Sequence, residues 1–166
     1  APTRGLIGYQ GELLTDTRGT AIMNRLFHDY ASYKGDIQGR RNGVLISNDS
    51  GEAVAYAMWK LEDRGPMMIE PGWKVYRGMI VGEHTRDNDL EINVLKGKQL
   101  TNIRAAGKDE AVRLTPPIKM TLEKALAYIE DDEFVEVTPK SIRLRKSILD
   151  PNERKKSGKG KAALVA

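Results

Sequence analysis

The chain has 166 residues, of which 40% are hydrophobic and 30% charged, and its formal net charge is +4 at pH 7. This length fits one domain, or one domain with part of another, and allows a buried core. The sequence contains no cysteine, which excludes disulfides, thiolate catalysis and cysteine-ligated zinc. No apolar run approaches the roughly 18 residues that span a bilayer, and no secretory signal is evident, so the sequence excludes a membrane protein.

The N-terminal part of the chain predicts one helix and one strand. Three glycines spaced three residues apart lie within a marginal helix predicted over residues 5–14, because glycine lowers helix propensity. After a turn, an apolar and aromatic run over residues 20–30 predicts a strand. One helix and one strand cannot form a domain, so we expect residues 1–33 to be the remnant of a larger α+β unit.

A polar, glycine-containing segment over residues 32–41 predicts a linker. The domain boundary is placed within it, and the second predicted domain covers residues 34–150. This domain begins with a short apolar strand over residues 43–47. A helix follows, with Gly65 placed to end it. Its predicted buried stripe has spacings of three and four residues and consists of Val54, Ala57, Met58 and Leu61.

Several short apolar segments then predict a small, strongly bent sheet. Prolines and glycines separate these segments, which cover residues 67–69, 73–76, 78–83 and 90–94. The large aromatic side chains in this part of the chain are predicted to belong to the core rather than to stack on bases; they are Trp59, Trp73 and Tyr76.

A second helix is predicted to begin after Thr121, whose side chain is expected to cap it. Its predicted buried stripe consists of Leu122, Ala125, Leu126 and Ile129. Two alternating strands, residues 134–138 and 141–145, follow the helix. In the second of these strands we expect Ile142 and Leu144 to face the core and Arg143 and Arg145 to face outward.

The C-terminal residues 151–166 are basic and rich in glycine and lysine, which predicts a tail that is disordered in isolation. Asp150 and Pro151 nevertheless have the form of a helix start. The fold class predicted for the whole chain is α+β, with mixed, mainly antiparallel short strands and two to three helices after the N-terminal remnant.

The stretch over residues 93–108 is the one sizeable run that is basic, rich in amides and free of acidic residues. Its side chains suit contact with a phosphate backbone, because cations alternate with hydrogen-bond donors and two glycines permit close approach. The alternative is a solvated loop or a short surface helix. The candidate RNA-binding residues are Lys96, Lys98, Gln99, Asn102, Arg104 and Lys108.

Other chemistry is weakly indicated. No P-loop pattern occurs, so no nucleotide site is predicted in this chain. His28 and His84 have no partners at metal-ligand spacing, and we interpret both as structural. Asp87 and Asp89 flank Asn88, but the glycine and distal glutamate of a calcium loop do not follow, so a turn is favoured over a metal site. We therefore predict no catalytic and no metal-binding residue.

The sequence resembles the C-terminal part of the BipA/TypA translational GTPases over nearly its whole length, up to about Ser157. The resemblance is carried by Gly5-Leu6-Ile7-Gly8-Tyr9, Thr15-Asp16-Thr17-Arg18-Gly19-Thr20, Arg86-Asp87-Asn88-Asp89-Leu90 and Leu95-Lys96-Gly97-Lys98-Gln99-Leu100-Thr101-Asn102. It implies that residues 1–33 are the last helix and strand of a ferredoxin-like domain V similar to that of elongation factor G. It also implies that residues 34–150 form the domain specific to this family.

The resemblance further implies a cytoplasmic, monomeric protein whose partners are the ribosome, ribosomal RNA and the acceptor arm of the tRNA in the aminoacyl site. The parent protein would use GTP and magnesium, and this part of it would hold no cofactor. The basic stretch corresponds to a mobile loop of the family that reaches toward the peptidyl-transferase region. We therefore expect high mobility over residues 96–108.

Two other functions remain open. A protein-interaction module would dock on ribosomal proteins or on the parent GTPase domains through the acidic segment at residues 130–133. An independent enzyme would use Asp87 and Asp89 to hold a metal.

Overall fold

The computed structural model describes residues 1–35, 39–97 and 113–164, with side chains up to residue 157. Its main feature is a five-stranded mixed sheet with the strand order β5-β1-β4-β7-β6, and a two-stranded sheet, β2-β3, lies beside it. The strands are β1 (Val44–Ser47), β2 (Gly51–Glu52), β3 (Lys74–Val75), β4 (Met79–Glu83), β5 (Leu90–Ile92), β6 (Glu133–Val137) and β7 (Ile142–Lys146). The helices are α1 (Tyr9–Asp16), α2 (Ala55–Leu61), α3 (Leu122–Tyr128) and α4 (Pro151–Leu164), with short 3₁₀ turns at Thr3–Leu6 and Glu62–Arg64.

The predicted α+β class is confirmed. In the large sheet only β1 and β5 pair in parallel; β1 with β4, β4 with β7 and β6 with β7 are antiparallel. Residues 67–69 were predicted to be a strand, but Met67 forms only an isolated bridge with Gly82. None of the helices in the described part of the chain is long and apolar enough to cross a membrane.

The large sheet is covered on both faces, which explains why β1 is buried at every position and apolar at Val44, Leu45 and Ile46. Successive strand residues point to opposite faces. Leu45 belongs to one core cluster together with Met58 of α2. Val44 and Ile46 belong to a second cluster together with Ala125 of α3. The sheet therefore lies between α2 and α3 and contributes to two cores.

Helix α3 begins where it was predicted, and the Thr121 side chain accepts a hydrogen bond from the Lys124 amide. Its predicted buried stripe is only partly correct. Ala125 is buried, whereas Leu122 and Leu126 are exposed. The helix faces the sheet through Ala125 and the half-buried Tyr128, so the contact stripe is rotated away from the two leucines.

The strand predicted over residues 20–30 is wrong. Residues 20–35, all of which the structure describes, lie in no helix or strand. Their large apolar side chains are almost fully exposed, namely Ile22, Leu26, Phe27 and Tyr30. A strand needs a neighbour for its backbone hydrogen bonds, and no described segment pairs with these residues.

The C-terminal residues also differ from the expectation of a disordered tail, because they form α4. The first turn is held at several points. The Asp150 carboxylate accepts hydrogen bonds from the amides of Asn152 and Glu153 at 2.8 and 3.1 Å. Arg154 bonds the Leu149 carbonyl and pairs with Glu91 of β5. The cap at Asp150 and Pro151, recognised in the sequence, thus prevails over the composition of the tail.

Candidate nucleic-acid interface

The basic stretch begins on a firmly fixed part of the fold. Val94, two residues after β5, is fully buried, and its carbonyl accepts a hydrogen bond from the Val54 amide at 2.9 Å. The next residue, Leu95, packs against the first core cluster, and its amide bonds the Asn93 side chain. The chain therefore leaves the core at a defined point, and Lys96 is already on the surface.

The chain is fixed again after the basic stretch, over residues 114–118. Leu114 packs against the same core cluster as Leu95. The Thr115 amide donates a hydrogen bond of 2.6 Å to the Glu62 carboxylate, and the Ile118 amide bonds the Met67 carbonyl at 2.8 Å. The two ends of the basic stretch are thus attached to one side of one domain.

Of the candidate RNA-binding residues, the structure describes only Lys96, which is exposed. The others lie outside the described residues, as does most of the segment for which we predict mobility; they are Lys98, Gln99, Asn102, Arg104 and Lys108. Their role in binding stays a prediction.

The acidic segment at residues 130–133 is only partly available to a partner. Its last member, Glu133, is buried at the start of β6 and forms a bidentate pair with Arg40, with N–O distances of 2.8 and 3.0 Å. Lys146, at the end of β7, is 2% exposed and contacts the same carboxylate at 2.9 Å. Asp131 is exposed and Glu130 and Asp132 are partly exposed, so these three remain accessible.

Two more carboxylates complete this group, which we call the ion cluster: Arg40, Asp89, Asp132, Glu133 and Lys146. Lys146 Nζ lies 2.6 Å from Asp89 and 3.1 Å from Asp132. The oxygens of Glu130, Asp132 and Glu133 come within 4.8 Å of one another, as in a metal site. Because Arg40 and Lys146 already bind these oxygens, the arrangement is an internal network of ion pairs.

The pKa shifts in the ion cluster follow from burial opposed by pairing. Burial alone raises the pKa of Glu133, but hydrogen bonds from Arg40 and Lys146 outweigh it and hold the pKa below its ordinary value. Burial likewise lowers the pKa of Lys146, and hydrogen bonds to Asp89 and Glu133 reverse that effect and raise it. Glu133 and Lys146 therefore both stay charged at neutral pH.

The residues around the predicted turn at Asn88 have structural roles. The Asp89 carboxylate accepts the Val44 amide at 2.9 Å in addition to its pair with Lys146. His84 is buried, and its Nδ1 lies 2.5 Å from the Asn88 carbonyl, which confirms the structural interpretation. His28 differs, because it is exposed and its nearest charged group is the neighbouring Asp29 at 4.0 Å.

Sequence reasoning missed two features of this surface. Arg40 lies in the predicted linker and Lys146 directly after the last predicted strand, and only the folded chain brings them to Glu133. Two of the three aromatic side chains predicted to be core are instead substantially exposed, Trp59 at 48% and Trp73 at 37%. The turn formers before Trp73 were the one local sign that its side chain lies at an edge.

Comparison with known proteins gives two family matches. Residues 42–151 match the model described as the TypA/BipA C-terminal domain. Residues 1–41 match the model described as the elongation factor G C-terminus.

Proteins named large ribosomal subunit assembly factor BipA are similar over most of the chain. The one from Escherichia coli strain K12 is 52% identical over 159 residues, which is 95% of this chain and 26% of that protein. The one from Bacillus subtilis strain 168 is 52% identical over 161 residues, 96% of this chain and 26% of that protein. The one from Haemophilus influenzae is 51% identical over 159 residues. The chain spans about a quarter of the length of these curated relatives.

Proposed function

The chain belongs to the TypA/BipA family, and on that basis we propose that it is a ribosome- and RNA-binding module of a translational GTPase. It contacts the acceptor arm of the aminoacyl-site tRNA and the nearby ribosomal RNA through the basic stretch. The rest of such a protein binds GTP with magnesium and hydrolyses the GTP, and the whole works as a monomer in the cytoplasm. The naming of relatives as large ribosomal subunit assembly factors supports the ribosome as partner.

The observation that carries the proposal is the attachment of the basic stretch at both ends. Leu95 and Leu114 pack against one core cluster, so the residues that flank the basic stretch are held on the same part of the folded domain. Lysine and arginine there gain most of their binding energy by releasing counterions from phosphates. The folded strands serve to position the stretch rather than to bind.

The test replaces Lys96, Lys98, Arg104 and Lys108 together with alanine. If each neutralises about one phosphate, the slope of log K against log salt should flatten by roughly three to four in a titration of RNA or large ribosomal subunits. A matched control removes four exposed cations elsewhere, Arg18, Lys60, Arg64 and Lys124, and should keep most of the slope. An unchanged slope in the first variant would remove the basic stretch from the interface.

A second function, docking on ribosomal proteins or on the parent GTPase domains, is favoured by one observation. A cavity of about 740 Å³ is bordered by accessible carboxylates, among them Glu130, Asp131 and Asp132. Ribosomal association that survives ribonuclease treatment but is lost when Asp131 and Asp132 become asparagine would favour this function over RNA binding.

A further inference from the structure

A second cavity is lined by residues 68–70, 73, 79–80, 117–120, 137–142 and 144, and none of these lining residues belongs to the basic stretch or to the ion cluster. Its volume is about 550 Å³, within the range of small-ligand sites. Apolar side chains line its interior, including Ile80, Ile118 and Ile142. Trp73 also borders the cavity and is 37% exposed. An exposed tryptophan beside an apolar cavity is a surface on which a flat ring can stack.

Hydrogen bonds fix the wall that carries Trp73. The Trp73 amide bonds the Glu70 carbonyl at 3.2 Å across Pro71 and Gly72, and Gly72 has φ +86°, as a tight turn with glycine in its third position requires. Ala53 bonds this turn twice, to the Gly72 amide and to the Trp73 carbonyl, both at 2.8 Å. Glu70 and Trp73 are therefore held at the same edge of the cavity.

The other two walls are equally well defined. One is the extended segment after Pro117, where the Ile118 amide bonds the Met67 carbonyl at 2.8 Å. The other is the turn between β6 and β7, where the Thr138 hydroxyl accepts the Ser141 amide at 2.9 Å and the Thr138 amide bonds the Ser141 carbonyl at 2.9 Å. A cavity with three fixed walls needs little ordering to bind a ligand.

The charges at the rim suit a phosphate-bearing ligand. Lys119 and Lys140 both border the cavity and are exposed. Neither forms an ion pair with any residue that the structure describes. Glu70 is the one carboxylate among the residues that line the cavity. Two exposed cations and a stacking surface therefore border a cavity large enough for one nucleotide, with a hydrogen-bond acceptor beside it.

We propose that this cavity binds an unpaired nucleotide of an RNA. The base stacks on Trp73 over the apolar interior, and Lys119 and Lys140 hold the flanking phosphates. The Glu70 carboxylate accepts hydrogen bonds from the edge of the base. Guanine presents two adjacent N–H donors on that edge, so guanine should bind more tightly than adenine. The site is a second RNA contact, and only the source of the nucleotide rests on the proposed function.

The test uses the fluorescence of Trp73 in the full chain. The sequence has two tryptophans, so Trp59→Phe leaves Trp73 as the single indole. Titration with GMP, AMP and a short unstructured oligoribonucleotide should quench its emission saturably, with GMP tighter than AMP. Adding Lys119→Gln and Lys140→Gln should weaken binding of the oligoribonucleotide roughly tenfold. The matched charge control, Lys60→Gln with Lys124→Gln, should change it little.

The outcomes separate this site from the basic stretch. The variant with four alanines in the basic stretch should keep the quenching of Trp73 by GMP even where it loses ribosomes. Saturable quenching in a chain that does not bind ribosomes would leave the cavity assigned and defeat the proposed function. Absence of saturation at millimolar nucleotide would overturn the cavity assignment, as would tighter competition by an acidic peptide. Thermal unfolding of each variant checks that the fold is intact.

Discussion

The domain that contains β1 to β7, α2 and α3, which we call the sheet domain, has apolar side chains similar to those of residues 20–35. In the sheet domain many of these side chains are buried, whereas in residues 20–35 they are exposed. Leu45, in β1, is 0% exposed, whereas Leu26 is 93% exposed. Both lie in runs of apolar residues that predict a strand. The difference is in the neighbours, since β1 pairs with β4 on one side and β5 on the other, and residues 20–35 pair with no described segment.

This contrast shows that an apolar run becomes a strand only when another strand completes its hydrogen bonds. A buried backbone amide or carbonyl without a partner costs about as much as the burial of a side chain gains. Residues 20–35 therefore stay irregular, although their composition favours a strand.

The largest expected effect on stability is at the ion cluster. There Glu133 of β6 pairs with both Arg40 and Lys146 of β7. Glu133→Ala removes the shared carboxylate and leaves Arg40 and Lys146 buried with one partner fewer. We expect a loss of about 3–5 kcal/mol in the free energy of unfolding, measured by urea denaturation. Asp63→Ala, at an exposed position in the 3₁₀ turn Glu62–Arg64, is the control and should change the stability little.

The pH dependence gives a second measure of the same carboxylate. Because the pKa of Glu133 is lower in the folded chain than its ordinary value of 4.5, its contribution is fully present above that pH. It is lost as the pH falls through the folded pKa. The native chain should therefore lose more stability between pH 5 and about pH 3 than Glu133→Gln does. Equal acid sensitivity of the two would contradict the pairing.

The next effect compares one residue type in the two regions. Leu45→Ala leaves a cavity in the first core cluster and should lower the free energy of unfolding by about 2–5 kcal/mol. Leu26→Ala changes a side chain that is already in solvent and should stay within about 0.5 kcal/mol of the native chain. If Leu26→Ala were as damaging as Leu45→Ala, residues 20–35 would have to be buried in solution.

Much of the sheet domain could be predicted from local patterns. Strands β1 and β4 are apolar runs between turn formers, α2 has its apolar residues at helical spacing, and Thr121 marks the start of α3. These features depend on residues close together in the chain, so the sequence contains the information directly.

The remaining features depend on distant residues. Arg40 and Glu133 are 93 positions apart, and nothing near either one indicates the other. The cavity beside Trp73 requires three segments that meet only after folding. The basic stretch of the candidate site could be predicted from the sequence by its chemistry. The packing of the flanking residues Leu95 and Leu114 against one core cluster could not.

The smallest effect concerns helix capping, again with one residue type in each region. Thr121 accepts the Lys124 amide at 3.3 Å and so satisfies one of the free donors at the start of α3. Thr121→Ala should cost about 1 kcal/mol of unfolding free energy, and Thr121→Ser should recover most of it.

Thr20 also makes a local hydrogen bond, to the Thr17 carbonyl at 2.7 Å, but it lies outside the sheet domain. Thr20→Ala should therefore leave the unfolding transition of the sheet domain unchanged, because the bond it removes is exposed to solvent and joins two residues outside that domain. A shift of equal size in both variants would mean that residues 20–35 unfold together with the sheet.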